Sequence, residues 1–278
     1  MIKLFITDLD DTLYSWIEFF IPAFYDMVDE VSSITNINKD ILLYEYKMIN
    51  MAMGSVEYPF ATLLLPSIKK LYPDNTDIEI QKKLDSAFHK FNSKRKKLLK
   101  LYPGVKETLY FLLDNHITII GYTDSAEENG FYRLRKLGID NFFKKVYVSD
   151  SLYKPTDLIP KSSKTCIVHG KKPNANILKT ICSNENINLN EAIYVGDSIS
   201  KDMLMAKYAG VQSIWCNFQK SNGKKLYDKL VAISHWSNQD FQNEEKYKNE
   251  WLSNGYIPDY TITNFSECMD IISRINKL

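Results

Sequence analysis

The sequence predicts an α/β protein, in which a parallel sheet is covered by helices and a helical block is inserted after the first strand. Three observations carry this. Short, apolar, β-branched runs recur along the chain and are too short to be helices. From Val105 to Cys216 such runs alternate with segments of helical period, which is the pattern of a parallel sheet buried on both faces. Between residues 17 and 101 no such run interrupts the pattern, and apolar residues return at helical spacing throughout.

The elements follow in order. Residues 2–7 are mostly apolar and form the first strand. "WIEFFIPAFYDMVDEV" (16–31), "KDILLYEYKMINMAM" (39–53), "FATLLLPSIKKLY" (60–72) and "TDIEIQKKLDSAFHKFNSKRKKLLKLY" (76–102) are helical, punctuated by Pro73-Asp74 and Pro103-Gly104. A helix follows over 105–115, and "ITIIGY" (117–122) is a buried strand. Residues 126–138 form a helix stopped by Gly138, and "KVYVS" (145–149) a strand. The next helix covers 174–184. "AIYVG" (192–196) is a strand, 200–209 a helix stopped by Gly210, and "QSIWC" (212–216) a strand. The long stretch 217–258 contains "HWSNQDFQNEEKYKNEW" (235–251), which reads as a surface helix, and "YTITNFSECMDII" (260–272) gives a last strand and helix. The domain division expected is a core of residues 1–16 and 102–278, with residues 17–101 inserted.

Composition narrows the class of protein. The 278 residues carry 35 basic and 34 acidic side chains, so no global basic field favours nucleic acid or an anionic membrane surface. Aromatics at 13% support a packed core rather than disorder. Cys166, Cys182, Cys216 and Cys268 form no CxxC pair and fit a reducing cytoplasm as packing residues. The four histidines are scattered, which argues against a zinc cluster. No signal peptide is expected, and no apolar run is long enough to span a bilayer. The pattern leaves the oligomeric state open.

Ligands of open parallel sheets bind at the carboxyl ends of the strands. After the first strand come Asp8 and Asp10, which lie two apart on an extended chain and face the same side. Three carboxylates at the end of a buried strand (Asp8, Asp10, Asp11) repel one another and cost free energy to desolvate. After "ITIIGY" come Thr123, Asp124 and Ser125, a hydroxyl followed by backbone N–H groups at a helix start, which suit an anion. After "AIYVG" come Asp197 and Asp202. Between these stations "GKKPNANIL" (170–178) sets Lys172 before a proline at the start of a helix. Taken singly these are ordinary turn and cap residues. In this order, each at a strand end or helix start, they describe a phosphate and metal site.

The chain resembles the haloacid dehalogenase superfamily. The resemblance rests on "DLDDTL" (8–13), "GYTDS" (121–125), "GKKPNANIL" (170–178) and "VGDSISKD" (195–202), and "LYPGVKETLYFL" (101–112) is similar to the family's return from cap to core. It implies a Rossmann-like core, a helical cap of the family's first type, Mg²⁺ and an aspartyl-phosphate intermediate. On that resemblance Asp8 is the nucleophile, and Asp10 the acid that protonates the leaving oxygen and the base that deprotonates water. Asp8, the backbone carbonyl of Asp10, and Asp197 would hold the cation, a set of oxygens that suits Mg²⁺, with Asp202 positioning metal-bound water from behind. Thr123 and the N–H groups after it would hold the phosphoryl oxygens, and Lys172 would neutralise charge between nucleophile and phosphate. Asp124 belongs to the same phosphate station. It stands where the family often carries Asn, and its charge would repel a phosphate unless the side chain points away.

The function expected is Mg²⁺-dependent hydrolysis of a small phosphorylated metabolite. The alternatives are a phosphomutase using the same residues and a non-catalytic binding protein on this fold. The acid two residues after the nucleophile suits phosphoryl transfer, whereas a dehalogenase needs none there. Two Lys-Pro pairs compete for the lysine station. Lys172 is preferred to Lys154 because a convincing helix start follows it and because 25 residues to Asp197 leave room for one helix, a turn and a strand. "KRKKLLK" (94–100) reads as a solvated helix face.

Overall fold

A computed structural model describes residues 1–58, 60–150, 162–218 and 223–278. The chain forms two compact units. One comprises Met1–Ser15, Lys100–Gln219 and Gln242–Leu278; the other comprises Trp16–Leu99 and a second stretch that ends at Phe241.

The first unit holds a seven-stranded sheet in the order β4-β3-β2-β1-β5-β6-β7. Its strands are β1 (Leu4–Thr7), β2 (Thr118–Ala126), β3 (Lys145–Ser149), β4 (Thr165–Val168), β5 (Ala192–Gly196), β6 (Gln212–Cys216) and β7 (Tyr260–Ile262). Every pairing is parallel. The central strands β1 and β5 are buried along their whole length, so their runs are continuously apolar instead of alternating. One face of the sheet sets Leu4, Ile6, Ile120, Tyr122 and Tyr194 against α9 (Ala175–Asn184) and α10 (Leu204–Ala209). On the other face Phe5 meets Phe265 edge-on at 6.4 Å, just before α13 (Glu267–Asn276). Strand order reverses at β1, which has β2 on one side and β5 on the other. That reversal opens the crevice at the strands' carboxyl ends in which doubly wound folds bind ligands.

β4 escaped the sequence reading, which left residues 150–170 as loop. Its four residues lie at the sheet edge and are only partly covered, so neither alternation nor a buried run marks them. β2 runs on to Ala126 through a register irregularity after Tyr122, and α8 (Glu127–Leu137) begins beyond it. The surface helix read at 235–251 is α12 (Asn238–Ser253), in which Trp251 alone is buried.

The second unit is helical: α1 (Trp16–Thr35), α2 (Lys39–Met53), α3 (Ala61–Leu64), α4 (Pro66–Leu71), α5 (Asp77–Lys83), α6 (Asp85–Leu98) and α11 (Gly223–Ile233). Phe20 of α1 meets Phe91 of α6 edge-on at 5.9 Å, and Phe24 meets Tyr46 of α2 at 4.9 Å. The single long helix read at 76–102 is two, because Leu84 leaves helical geometry at φ −102° and ψ 12°. The larger correction concerns α11. The sequence division assigns it to the core, but it belongs to the helical unit. Leu230 and Ile233 are buried, Asn50 Nδ2 donates to the Ile233 carbonyl at 2.8 Å, and the Tyr25 hydroxyl donates to the Lys229 carbonyl at 3.0 Å. A hydrophobic stripe on a helix says that the face is covered and not by which neighbour.

Candidate active site

β1 ends at Thr7, and Asp8 extends the pairing by donating its N–H to the Val195 carbonyl at 2.8 Å. The chain then turns sharply. Leu13 N–H donates to the Leu9 carbonyl at 2.9 Å, and Asp11 takes a left-handed φ of 59°. Asp8 and Asp10 therefore leave the strand with different surroundings.

Asp8 is buried, and its Oδ1 accepts from Lys172 Nζ at 2.5 Å. The same ammonium lies 2.8 Å from Asp202 Oδ1. Asp8, Asp197 and Asp202 each bring a carboxylate oxygen within 4.8 Å of the others. Lys172 is itself buried, with the rings of Tyr122 and Tyr194 at 5.0 and 5.7 Å from its nitrogen. Burial acts to lower the Lys172 pKa, but the Asp202 and Asp8 carboxylates outweigh it and hold the ammonium well above its usual range. Burial pushes the Asp8 carboxyl well up. Lys172 pulls it back, while Asp202 and Asp197 add to the rise.

The charges do not balance. Three carboxylates give three repulsive pairs, against two close attractions to one ammonium. Like charges about 4 Å apart repel by about 4 kcal/mol at an effective dielectric constant near 20. A cluster of oxygen donors short of positive charge fits a hard divalent cation.

Asp202 is anchored on both oxygens. Oδ1 accepts from the Tyr194 hydroxyl at 2.7 Å as well as from Lys172, and Oδ2 accepts from the Ser198 N–H at 3.0 Å. It reaches this position from a π-type turn, Ile199–Met203, that leads from β5 into α10. Gly196 makes room, since a Cβ there would stand 2.4 Å from Asp202 Cγ. Asp197 sits between, and its carbonyl accepts from Trp215 Nε1 at 2.9 Å.

Asp10 turns elsewhere. Its Oδ2 accepts from Arg133 Nη2 at 2.9 Å and Ser125 Oγ at 2.7 Å, with Thr123 Oγ1 at the limit of 3.5 Å. The expected metal set of Asp8, Asp10 and Asp197 thus differs from the carboxylate cluster. Asp202 stands in the cluster, and the carboxyl of Asp10 does not. The sequence assigned Asp10 through its backbone carbonyl, which this leaves in place.

Thr123 is buried, and its Oγ1 accepts the Ser125 N–H at 3.0 Å, so that N–H is not open to an anion. Asp124 Oδ1 accepts the Lys172 N–H at 3.2 Å, which turns the carboxylate to the lysine loop and away from a phosphate role. Lys171 is exposed, and Lys154 lies outside the described residues. Sequence reasoning missed Arg133, and it took Ser125 into the anion station for its backbone N–H and not for its hydroxyl. A signal for Arg133 existed: it is a charged residue among Gly130, Phe131 and Leu134 on the covered stripe of α8.

A model of the haloacid dehalogenase-like hydrolase family matches residues 5–216. A glyceraldehyde 3-phosphate phosphatase of Methanopyrus kandleri is 26% identical over 280 residues, covering 100% of both chains. A phosphoglycolate phosphatase of Pseudomonas fluorescens is 24% identical over 157 residues, covering 56% of this chain and 51% of that one. Among solved structures, a 2-haloacid dehalogenase from Pseudomonas syringae pv. Tomato DC3000 shares the fold with a TM-score of 0.56 at 22% identity, covering 99% of this chain and 100% of that one. Among the described residues no helix is long and apolar enough to cross a membrane.

Proposed function

This chain belongs to the haloacid dehalogenase-like hydrolase family, and on that premise we propose that it is a Mg²⁺-dependent phosphatase of a small phosphorylated metabolite, working through an aspartyl-phosphate. The observation that carries the reading is the buried Lys172 ammonium held between Asp8 and Asp202, beside Asp197. Such a group of charges is costly to bury, and clusters of this kind occur preferentially at functional sites. The relatives named as phosphatases of three- and two-carbon phosphates support a substrate of that size.

Asp8 attacks phosphorus and forms the acyl phosphate as the ester P–O bond breaks. Asp10 gives a proton to the departing oxygen and later takes one from the water that hydrolyses the intermediate. Lys172 pairs the charge that builds on the transferring phosphoryl group, and Asp202 and Asp124 hold Lys172 in place by its ammonium and its backbone N–H. Thr123 stands at the phosphoryl oxygens. Asp8, Asp197 and the Asp10 carbonyl would hold Mg²⁺, with Asp202 behind them. When bound, the ion supplies positive charge that lets an anionic nucleophile approach an anionic substrate. The helical unit serves as the cap that selects substrate. Four free cysteines agree with a cytoplasmic protein.

The test is a screen of phosphorylated metabolites, glyceraldehyde 3-phosphate and phosphoglycolate among them, that reads released phosphate with and without Mg²⁺. Release that requires Mg²⁺ and is lost in Asp8→Asn is expected. Metal-independent release, or an active Asp8→Asn, overturns the reading. A requirement for a bisphosphate activator would make it a phosphomutase.

A further inference from the structure

We propose that Arg133 is the positioning residue for Asp10, holding one oxygen of that carboxyl so that the other exchanges the proton. This rests on the phosphatase reading and adds to it a residue outside the motifs that carry the family resemblance. Arg133 is 3% exposed, although it carries a charge and sits on a helix with ample polar surface. Its Nη2 bridges Asp10 Oδ2 at 2.9 Å and Ser125 Oγ at 2.8 Å, and Ser125 Oγ closes the triangle on Asp10 Oδ2 at 2.7 Å. Its Nε donates to the Tyr14 hydroxyl at 3.2 Å, which fixes the plane of the guanidinium.

The fold builds this contact deliberately. Gly130 lies one helical turn before Arg133, and a Cβ there would stand 3.1 Å from Thr123 Cγ2. The missing side chain lets α8 settle against the end of β2, and the residue three positions on reaches Asp10. The result is asymmetric. Asp10 Oδ2 is saturated with donors, whereas Oδ1 is buried with no hydrogen-bond partner among the described residues. Oδ1 is the atom left for chemistry. As Asp8 bonds to phosphorus, the Oδ1 proton passes to the ester oxygen, which keeps the electron pair of the broken P–O bond. Asp10 is left a carboxylate whose charge Arg133 pairs. Water then returns a proton to Asp10 as its oxygen attacks phosphorus and the Asp8 carboxylate departs.

A residue that positions the acid matters most where the departing oxygen needs the proton. The experiment compares kcat/KM and kcat on 4-nitrophenyl, phenyl and 4-methoxyphenyl phosphates at saturating Mg²⁺, for the wild type, Arg133→Met, Arg133→Lys, Ser125→Ala and Asp10→Asn. Arg133→Met is expected to lose roughly 10-fold or more on phenyl and 4-methoxyphenyl phosphate and under about 3-fold on the nitro ester, a share of what general acid catalysis supplies. The loss should fall on kcat, Ser125→Ala should follow in smaller measure, and Arg133→Lys should recover part of it. Ser125→Ala removes only a hydroxyl and keeps the test open if Arg133→Met folds poorly. Uniform loss across the three esters in both variants, or no loss while Asp10→Asn shows the steep dependence, overturns the role of Arg133. An Asp10→Asn with no leaving-group dependence overturns the role given to Asp10 itself, and this proposal with it.

Discussion

Lys172 Nζ lies 2.5 Å from Asp8 Oδ1 across 164 residues of chain, and the same nitrogen reaches Asp202 at 2.8 Å. Lys172→Ala should therefore do two things. Turnover should fall by about 3 kcal/mol in the barrier, since the charge on the transferring phosphoryl group loses its partner. Stability should fall as well, because two carboxylates stay buried without their ammonium. The drop in Tm should be larger in chelator than in saturating Mg²⁺. Lys171→Ala should match the wild type in both measurements, and a Tm loss indifferent to Mg²⁺ would separate the lysine from the metal site.

Asp8→Asn should abolish turnover and raise Tm in chelator. Burial and two neighbouring carboxylates work against a charge at Asp8, with Lys172 as the compensating group. Removing that charge relieves the native state more than the unfolded one. Differential scanning calorimetry with and without Mg²⁺ reads both, and the order of the two proteins should invert once the cation binds.

Asp124 separates acceptor from charge. Asp124→Asn keeps an oxygen for the Lys172 N–H and should leave kcat within a few-fold of the wild type. Asp124→Ala removes the acceptor and should cost about 1 kcal/mol in kcat with little change in KM. A large rise in KM for Asp124→Ala would point instead to direct substrate contact.

Gly196→Ala probes the space that Asp202 occupies. The added methyl meets Asp202 Cγ and Cβ at 2.4 and 2.6 Å, too close for a small adjustment. The displaced carboxylate releases Lys172 and the Ser198 N–H. Activity should fall on the order of 10²-fold, with far-UV circular dichroism unchanged and Mg²⁺ binding weakened in titration calorimetry.

The helical unit should be removable only as a whole. Deleting residues 17–98 alone leaves Leu230 and Ile233 of α11 without the helices that cover them, so that variant should aggregate. Deleting α11 as well should give a soluble core that still hydrolyses 4-nitrophenyl phosphate with Mg²⁺ and no longer discriminates among metabolites. Gel filtration and the phosphate screen check this pair.

The sequence by itself determined the parallel sheet and the stations after β1, β2 and β5. Buried strands read as unbroken apolar runs, and carboxylates that end them have no bland explanation as a set. The helix start after Pro173, which favoured Lys172, was legible as well because a helix start is a local signal. Tertiary structure alone decided where side chains found partners. It turned Asp124 to a backbone N–H 48 residues away, paired Asp10 with Arg133 at 123 residues, and gave α11 to the helical unit through Asn50 at 183 residues. It also set β4 at an edge, where partial cover erases the pattern of a strand. The physical reason is common to the first three. Periodicity and capping record free energies settled within a few residues of chain, whereas the partner of a buried polar group is fixed by which elements pack together, and no window of sequence contains both sides of that contact.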